Sequence, residues 1–227
     1  MDETTLTQPA QPIGPDPLPW EDPNAGGFDG LLRTISLFLT RPDEAFTRMS
    51  DRGLGRPFMY AVITSWIELV VVFAYWAVFQ FPLFAFGFPS LDEKLAEAAI
   101  GAGFLFAIGA GIFLLMPALV AVGLAIHACI LHLMLLIIGE GKRGFDTTIR
   151  TICYSHTADL AHAVPLCGGI ISLVWFVALQ IIGLARAHQC SYGKAALAVF
   201  LPILLCCSCL SLGLAMVGAL SVGGLFD

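Results

Sequence analysis

The sequence predicts an all-α integral membrane protein: a bundle of five transmembrane helices, six in the alternative count, with an N-terminal amphipathic helix. Three observations lead there. Hydrophobic residues make up 58% of the 227 residues and charged residues only 12%, where a soluble domain usually carries about 25%. A charge facing hydrocarbon costs several kcal/mol, so a lipid-facing surface sheds charge. Apolar runs of about 20 residues or more recur along the chain, the length that crosses a bilayer core of about 30 Å. The basic residues fall where they give those runs a consistent orientation.

The elements follow in order. Residues 1–27 hold Pro9, Pro12, Pro15, Pro17, Pro19 and Pro23, and are expected to be a disordered proline-rich tail that buries no core. They lack the basic start and apolar centre of a cleavable signal peptide, so the first span is expected to direct insertion and stay in the membrane. Trp20, in Pro-Trp-Glu-Asp, is the one feature of the tail suited to docking. Residues 28–56 read as amphipathic juxtamembrane helices. Phe28, Leu31, Leu32, Ile35, Phe38 and Leu39 recur at helical spacing between Asp29, Arg33 and Ser36. Pro42 opens a second short helix with Asp43 and Glu44 in its first turn. These helices are too short and too charged to span. Docking on the membrane surface and packing against the bundle both remain open.

Residues 57–220 form the transmembrane domain. The first span is expected over Phe58–Phe81, followed by a loop with Pro82, Pro89, Asp92 and Glu93. Residues 97–138 are nearly all apolar and would make a helix of roughly 60 Å, about twice the hydrocarbon thickness. With Pro117 near the middle, the stretch is either two spans or one span preceded by a helix that does not cross. Residues 147–164 mix Ile149, Ile152 and Leu160 with Arg150, His156, Asp159 and His162, with Asp146 as N-cap. Such a helix crosses only if its polar side faces protein. Pro165 ends it. Leu166–Ala185 and Ala195–Gly218 are the remaining spans, joined by Ser191-Tyr192-Gly193-Lys194.

Charge decides between the two counts. With the N-terminus cytoplasmic and 97–138 crossing once, Arg33, Arg41, Arg48, Arg52, Arg56, Lys142, Arg143, Arg150, Arg186 and Lys194 all fall inside, and only Lys94 falls outside. If 97–138 crossed twice, Lys142, Arg143 and Arg150 would be external. The reading is therefore five spans with the N-terminus cytoplasmic, in the cell membrane. Small residues four apart, at Gly103, Ala107 and Gly111 and at Ser211, Ala215, Ala219 and Gly223, are expected to mark helix contacts. The net charge of −6 excludes a basic nucleic-acid footprint. The seven cysteines mostly lie in apolar stretches and read as small hydrophobes. Cys206-Cys207-Ser208-Cys209 has no second pair to complete a zinc pattern.

The stretch 131–202 carries His-Leu-Met-Leu-Leu-Ile-Ile-Gly-Glu-Gly-Lys at 132–142, Thr-Ile-Cys-Tyr-Ser at 151–155 and Val-Pro-Leu-Cys-Gly-Gly at 164–169. Trp175, Ile-Ile-Gly-Leu-Ala-Arg-Ala-His at 181–188 and Lys-Ala-Ala-Leu-Ala-Val-Phe-Leu-Pro at 194–202 follow. With Pro-Trp-Glu at 19–21 and Arg-Pro-Asp-Glu-Ala-Phe at 41–46, this resembles the Yip domain (Ypt-interacting protein family) in its bacterial form. The resemblance covers roughly 19–202 and makes 57–220 a Yip-like domain. It implies five spans with a cytoplasmic N-terminus and no catalytic residues. Eukaryotic members act in vesicle traffic with prenylated Rab GTPases, a role that a bacterial-type sequence need not share.

No recognised catalytic motif is present, and Gly-Glu-Gly-Lys at 139–142 follows a helix and not the strand a phosphate-binding loop requires. A non-enzymatic protein without cofactor or metal is expected. The ionisable residues inside apolar spans are Glu68, His127, His132, His156, Asp159 and His162. Such residues are functional candidates by default. Depth counting brings Glu68, His127, His132 and His156 near the bilayer middle, so Glu68 is expected to meet one of those three histidines. The cluster admits three readings: hydrogen-bonding glue between helices, a proton or ion path, or a metal site. The leading expectation for function is membrane organisation or partner binding. A small transporter or channel using the intramembrane Glu, His and Asp residues is the alternative. The expected partners are the lipid bilayer, and beyond it a protein partner or a second copy.

Overall fold

The computed structural model of the chain describes residues 16–51, 53–80 and 91–223. Within them the chain is helical. Helix α1 is Gly27–Thr40, α2 is Pro42–Thr47 and α3 is Gly55–Tyr75, continued by a π-helical turn at Trp76–Gln80. Helix α4 is Leu91–Ile138 and α5 is Phe145–Ser155, which tightens into a 3₁₀ segment at His156–Ala163. Helix α6 is Gly168–His188 and α7 is Tyr192–Gly223. Among the described residues, 4 helices are long and apolar enough to cross a membrane: Gly55–Phe79, Ala107–Ile138, Gly168–His188 and Tyr192–Met216.

The ends follow from local chemistry. Pro42 starts α2 because a first-turn residue needs no N–H, and Asp43 and Glu44 complement the positive end of the helix. Gly139 (φ 82°) ends α4 in the left-handed region. There the N–H of Glu140 donates to the carbonyl of Leu135, and that of Gly139 to Leu136. Gly-Glu-Gly-Lys is thus a helix cap. Asp146 lies in the first turn of α5, whose N-cap is Gly144, and not at the cap itself.

The apolar stretch around Pro117 is one uninterrupted helix of 48 residues, about 72 Å long. It starts at Leu91, taking in Asp92 and Glu93, which sequence placed in a loop; Pro82 and Pro89 lie outside the described residues. A single helix cannot turn back, so this stretch does not form two spans. Proline at an interior position removes one N–H from the ladder, a loss that the turns on either side tolerate in a packed bundle.

The polar segment α5 and its 3₁₀ continuation are the centre of the bundle. They pack on α3, α4 and α6, while α7 closes against α4 and α6. Thr147, Thr148, Arg150, Thr151, Ser155, Thr157 and Asp159 are buried there. One apolar core joins Ala61 and Val62 of α3, Leu124, Ala128 and Leu135 of α4, Ile152 of α5, Leu184 of α6 and Ala198 of α7. A second, at one end, joins Leu18, Trp20, Phe38, Phe46, Tyr60 and Tyr154, with the Phe38 and Tyr154 rings stacked at 5.1 Å.

Residues 16–26 are therefore not part of a tail that buries nothing. Leu18 is fully buried and Trp20 only 7% exposed. The indole Nε1–H donates to the Arg56 carbonyl at 2.7 Å, the Trp20 N–H donates to Thr34 Oγ1 at 2.9 Å, and Arg56 Nη1 donates to the Trp20 carbonyl at 3.0 Å. Glu21 takes the hydroxyl of Tyr154 and the N–H of Ser50. Residues 1–15 lie outside the described residues. Helix α1 buries Gly30, Leu31, Thr34 and Phe38 and leaves Phe28, Leu32 and Leu39 exposed.

Among the described residues, the small-residue stripes mark no contacts within the chain. A side chain added at Gly103 or Gly111 would meet nothing, and Ala107, Ser211 and Ala215 are exposed; Ala219 and Gly223 lack described side chains. The close approaches are elsewhere. Gly109 meets the ring of Phe73, and Gly183 sits under Thr151 and Phe46. A four-residue period fixes which residues share a face and leaves open which way that face turns.

Candidate functional site

The candidate polar residues separate into two groups. In the first, three residues per turn place His156, Asp159 and His162 in one row along the 3₁₀ segment. His156 Nδ1 is 2.5 Å from Asp159 Oδ2. His162 Nδ1 lies 3.0 Å from the Asp159 carbonyl and 3.2 Å from Glu68 Oε1 of α3. A carbonyl only accepts, so this His162 nitrogen carries its proton. His127 of α4 lies across from this row, its Nε2 within 3.3 Å of the Gln180 amide nitrogen on α6. The rings of His127 and His156 both contact Phe176. A cavity of about 420 Å³ opens between α3, α4 and the 3₁₀ segment, and Glu68, His127, His156 and Asp159 line it.

Glu68 thus meets a histidine, but it is His162 and not His127, His132 or His156. Helix α3 begins at Gly55, three residues before the expected start, which sets Glu68 about 5 Å further along. Asp159, adjacent in the row, takes His156. Among the described residues, no three His, Cys, Asp or Glu side chains are grouped to hold a metal ion.

His132 belongs to the second group. Its Nδ1 is 3.0 Å from Thr148 Oγ1, which is 3.0 Å from His188 Nε2. One hydroxyl bridges two imidazoles, and the buried His188 Nδ1 has no partner. Sequence reasoning missed His188. It stands in the quoted Ala-Arg-Ala-His at the end of α6, where a polar residue reads as an ordinary span end.

A third set gathers every described turn at one end of the bundle. Arg186 Nε pairs with Asp43 at 2.7 Å, and the Tyr192 hydroxyl donates to the same carboxylate. Both hold the Asp43 carboxyl below its usual range. Lys194 and Lys142 hold Glu140 below its range in the same way. Arg150 Nε donates to the Gly53 carbonyl at 3.1 Å, and Arg143 Nη1 donates to that of Ala187 at 3.4 Å. Glu21 runs opposite: burial pushes its carboxyl up, more than the bonds from Tyr154 and Ser50 pull it down. These contacts join α2, the α4–α5 turn, the end of α6 and the start of α7 into one layer.

Comparison with curated proteins and with solved structures returns no match. The Yip1 domain matches residues 35–213, a range that begins within α1 and ends within α7. By that match over most of its length, this multi-pass, apolar-helical chain belongs to the Yip1 domain family.

Proposed function

We propose that this chain is a non-enzymatic protein of the cell membrane, of the bacterial Yip type, that crosses five times from a cytoplasmic N-terminus and organises membrane or binds a partner through its cytoplasmic face. The observation that carries the reading is the layer at one end of the bundle. There Asp43 of α2 pairs with Arg186, Asp51 of the α2–α3 turn with Arg143 and Glu140 of the α4–α5 turn with Lys194, and Leu18 and Trp20 pack with Phe38, Phe46, Tyr60 and Tyr154. Basic turns belong inside, so this layer would face the cytoplasm as a rigid platform suited to contact.

The fifth crossing is α5 with its 3₁₀ segment. Eleven α-helical residues and 8 in 3₁₀ geometry rise about 32 Å together, close to the hydrocarbon thickness. Its polar side chains turn toward α3, α4 and α6, the condition under which a polar helix can span.

Two measurements test the reading. Single cysteines placed beside Lys142 and Lys194, in a background without the native seven, should resist an impermeant external reagent. Labelling of the 140–146 loop from outside would refute five spans. Crosslinking and pull-down from native membranes should recover one partner, or a second copy, with the intact chain. Disrupting the platform with Trp20→Ala and Arg186→Ala should abolish that recovery. Solute or ion flux through liposomes holding the pure protein would replace this function with transport.

A further inference from the structure

The cavity between α3, α4 and the 3₁₀ segment has the size of a small-molecule site, about 420 Å³ against a usual range of about 300–1,000 Å³. Leu119 and Gly123 belong both to its lining and to the exposed side of α4, so it opens sideways, toward lipid. Its walls are of two kinds. Met116, Leu119, Val120 and Leu124 make an apolar side, and Glu68 and Asp159, with the imidazoles of His127 and His156, make a polar end. Lysine and arginine are missing from the lining.

The carboxylates are half used. Asp159 gives Oδ2 to His156 and Glu68 gives Oε1 to His162. Asp159 Oδ1 and Glu68 Oε2 accept no hydrogen bond from the described residues, and neither is among the buried side-chain atoms left without a partner; both residues line the cavity. An acceptor held in largely apolar surroundings costs free energy until a donor reaches it, and two neighbouring carboxylates favour a donor that is also a cation. We propose that this cavity binds a membrane-dissolved, single-chain amphiphile with a primary ammonium end. The ammonium bridges Asp159 Oδ1 and Glu68 Oε2, and the chain lies along Met116–Leu124.

Depth separates this occupant from a phospholipid. Glu68 is 13 positions beyond the start of α3 at Gly55, about 20 Å along the helix. That leaves it about 10 Å inside the opposite face of a core about 30 Å thick, a distance that a two-chain lipid's head would have to leave the interface to cover.

The test uses the full chain in nanodiscs of phosphatidylcholine, whose headgroup offers no N–H. Three dodecyl probes, each with a photoactivatable diazirine, differ only at the head: primary amine, trimethylammonium and carboxylate. After illumination, peptide mass spectrometry should find the amine probe on 116–124 at least about tenfold above the other two, the ratio expected for a charge-assisted hydrogen bond. The double variant Glu68→Gln/Asp159→Asn should lose that preference. Leu119→Trp, which fills the mouth and leaves both carboxylates in place, should lose the label, so the result does not depend on the double variant folding. Equal labelling by the three probes, or no labelling at 116–124, overturns the proposal. In nanodiscs of phosphatidylethanolamine the label should persist; displacement by that lipid overturns the single-chain assignment. None of these outcomes bears on the platform function, which the crosslinking experiment decides separately.

Discussion

Replacing Trp20 by alanine tests whether the segment before α1 is part of the fold. Trp20 is 7% exposed, stands edge-on to Tyr60 at 6.4 Å and carries the Arg56 guanidinium over its ring at 5.5 Å. Truncating such a side chain costs about 3–5 kcal/mol. Within that total, the Nε1–H bond to the Arg56 carbonyl accounts for about 1 kcal/mol and the cation–π contact for about 0.5–1 kcal/mol. The backbone bonds to Thr34 and from Arg56 survive the substitution, so the segment should open locally while the bundle stays folded. A loss of about 3 kcal/mol raises the exchange rate of the amides in 16–22 and in α1 by roughly a hundredfold. Hydrogen exchange with mass spectrometry on the protein in nanodiscs reads this directly, with the 120–135 amides of α4 as an unchanged internal reference. A change below about threefold, equivalent to roughly 0.7 kcal/mol, would refute the anchoring role.

Gly183→Val puts a side chain 2.5 Å from Thr151 Cγ2 and 2.7 Å from the Phe46 ring; thermal unfolding in detergent should show a loss of about 1–3 kcal/mol, while the same change at Gly111, which meets nothing, should be nearly neutral. Glu68→Leu should lower thermal stability because the half-buried His162 N–H loses one of its two acceptors, whereas Glu68→Gln should retain most of it; equal melting of the two would remove the hydrogen-bonding role. The Asp43 carboxyl is held below its ordinary value of 3.8 by Tyr192 and Arg186, so the stability it adds is present above that value and is lost as pH falls through the lower, folded one. Protection of α2 should therefore drop below about pH 4 in the native chain and lack that step in Asp43→Asn. Glu21 has the opposite sign, because its carboxyl is raised above 4.5: the stability it adds is full below that value and declines as pH rises through the folded one, so Glu21→Gln should flatten the melting temperature above about pH 4.5.

What the sequence made legible was set by local chemistry. Pro42 can start a helix and not continue one, and α2 starts there. Long apolar runs became long helices because no other backbone satisfies its polar groups in lipid. The polar run around Arg150 and Asp159 carried its own requirement to face protein, and it lies among α3, α4 and α6. Less visible were relations set by rotation and distance. Depth along each span brought Glu68 and three histidines to neighbouring levels, but rotation about each axis decides which side chains meet. That rotation sends His132 toward Thr148 and His188, away from Glu68. The tightening at His156 has no signal in composition. Trp20 and Leu18 were hidden by the prolines around them, because the pockets that take them are assembled from Thr34, Arg56, Tyr60 and Tyr154, all remote in sequence.

The bond between Glu21 and Tyr154 spans 133 positions, and that separation imposes an order on assembly. During synthesis at about 5–20 residues per second, the segment holding Glu21 waits roughly 7–27 s before its partner emerges. Until then Trp20 can reach Arg56 and Tyr60, but its neighbouring carboxylate has no hydroxyl to meet. Closure of the N-terminal segment therefore comes after α5 has entered the bundle. A chain truncated before Tyr154 would leave Pro-Trp-Glu loosely held at the membrane surface, where a quality-control protease can find it, so the first residues made would report whether the middle of the protein has arrived.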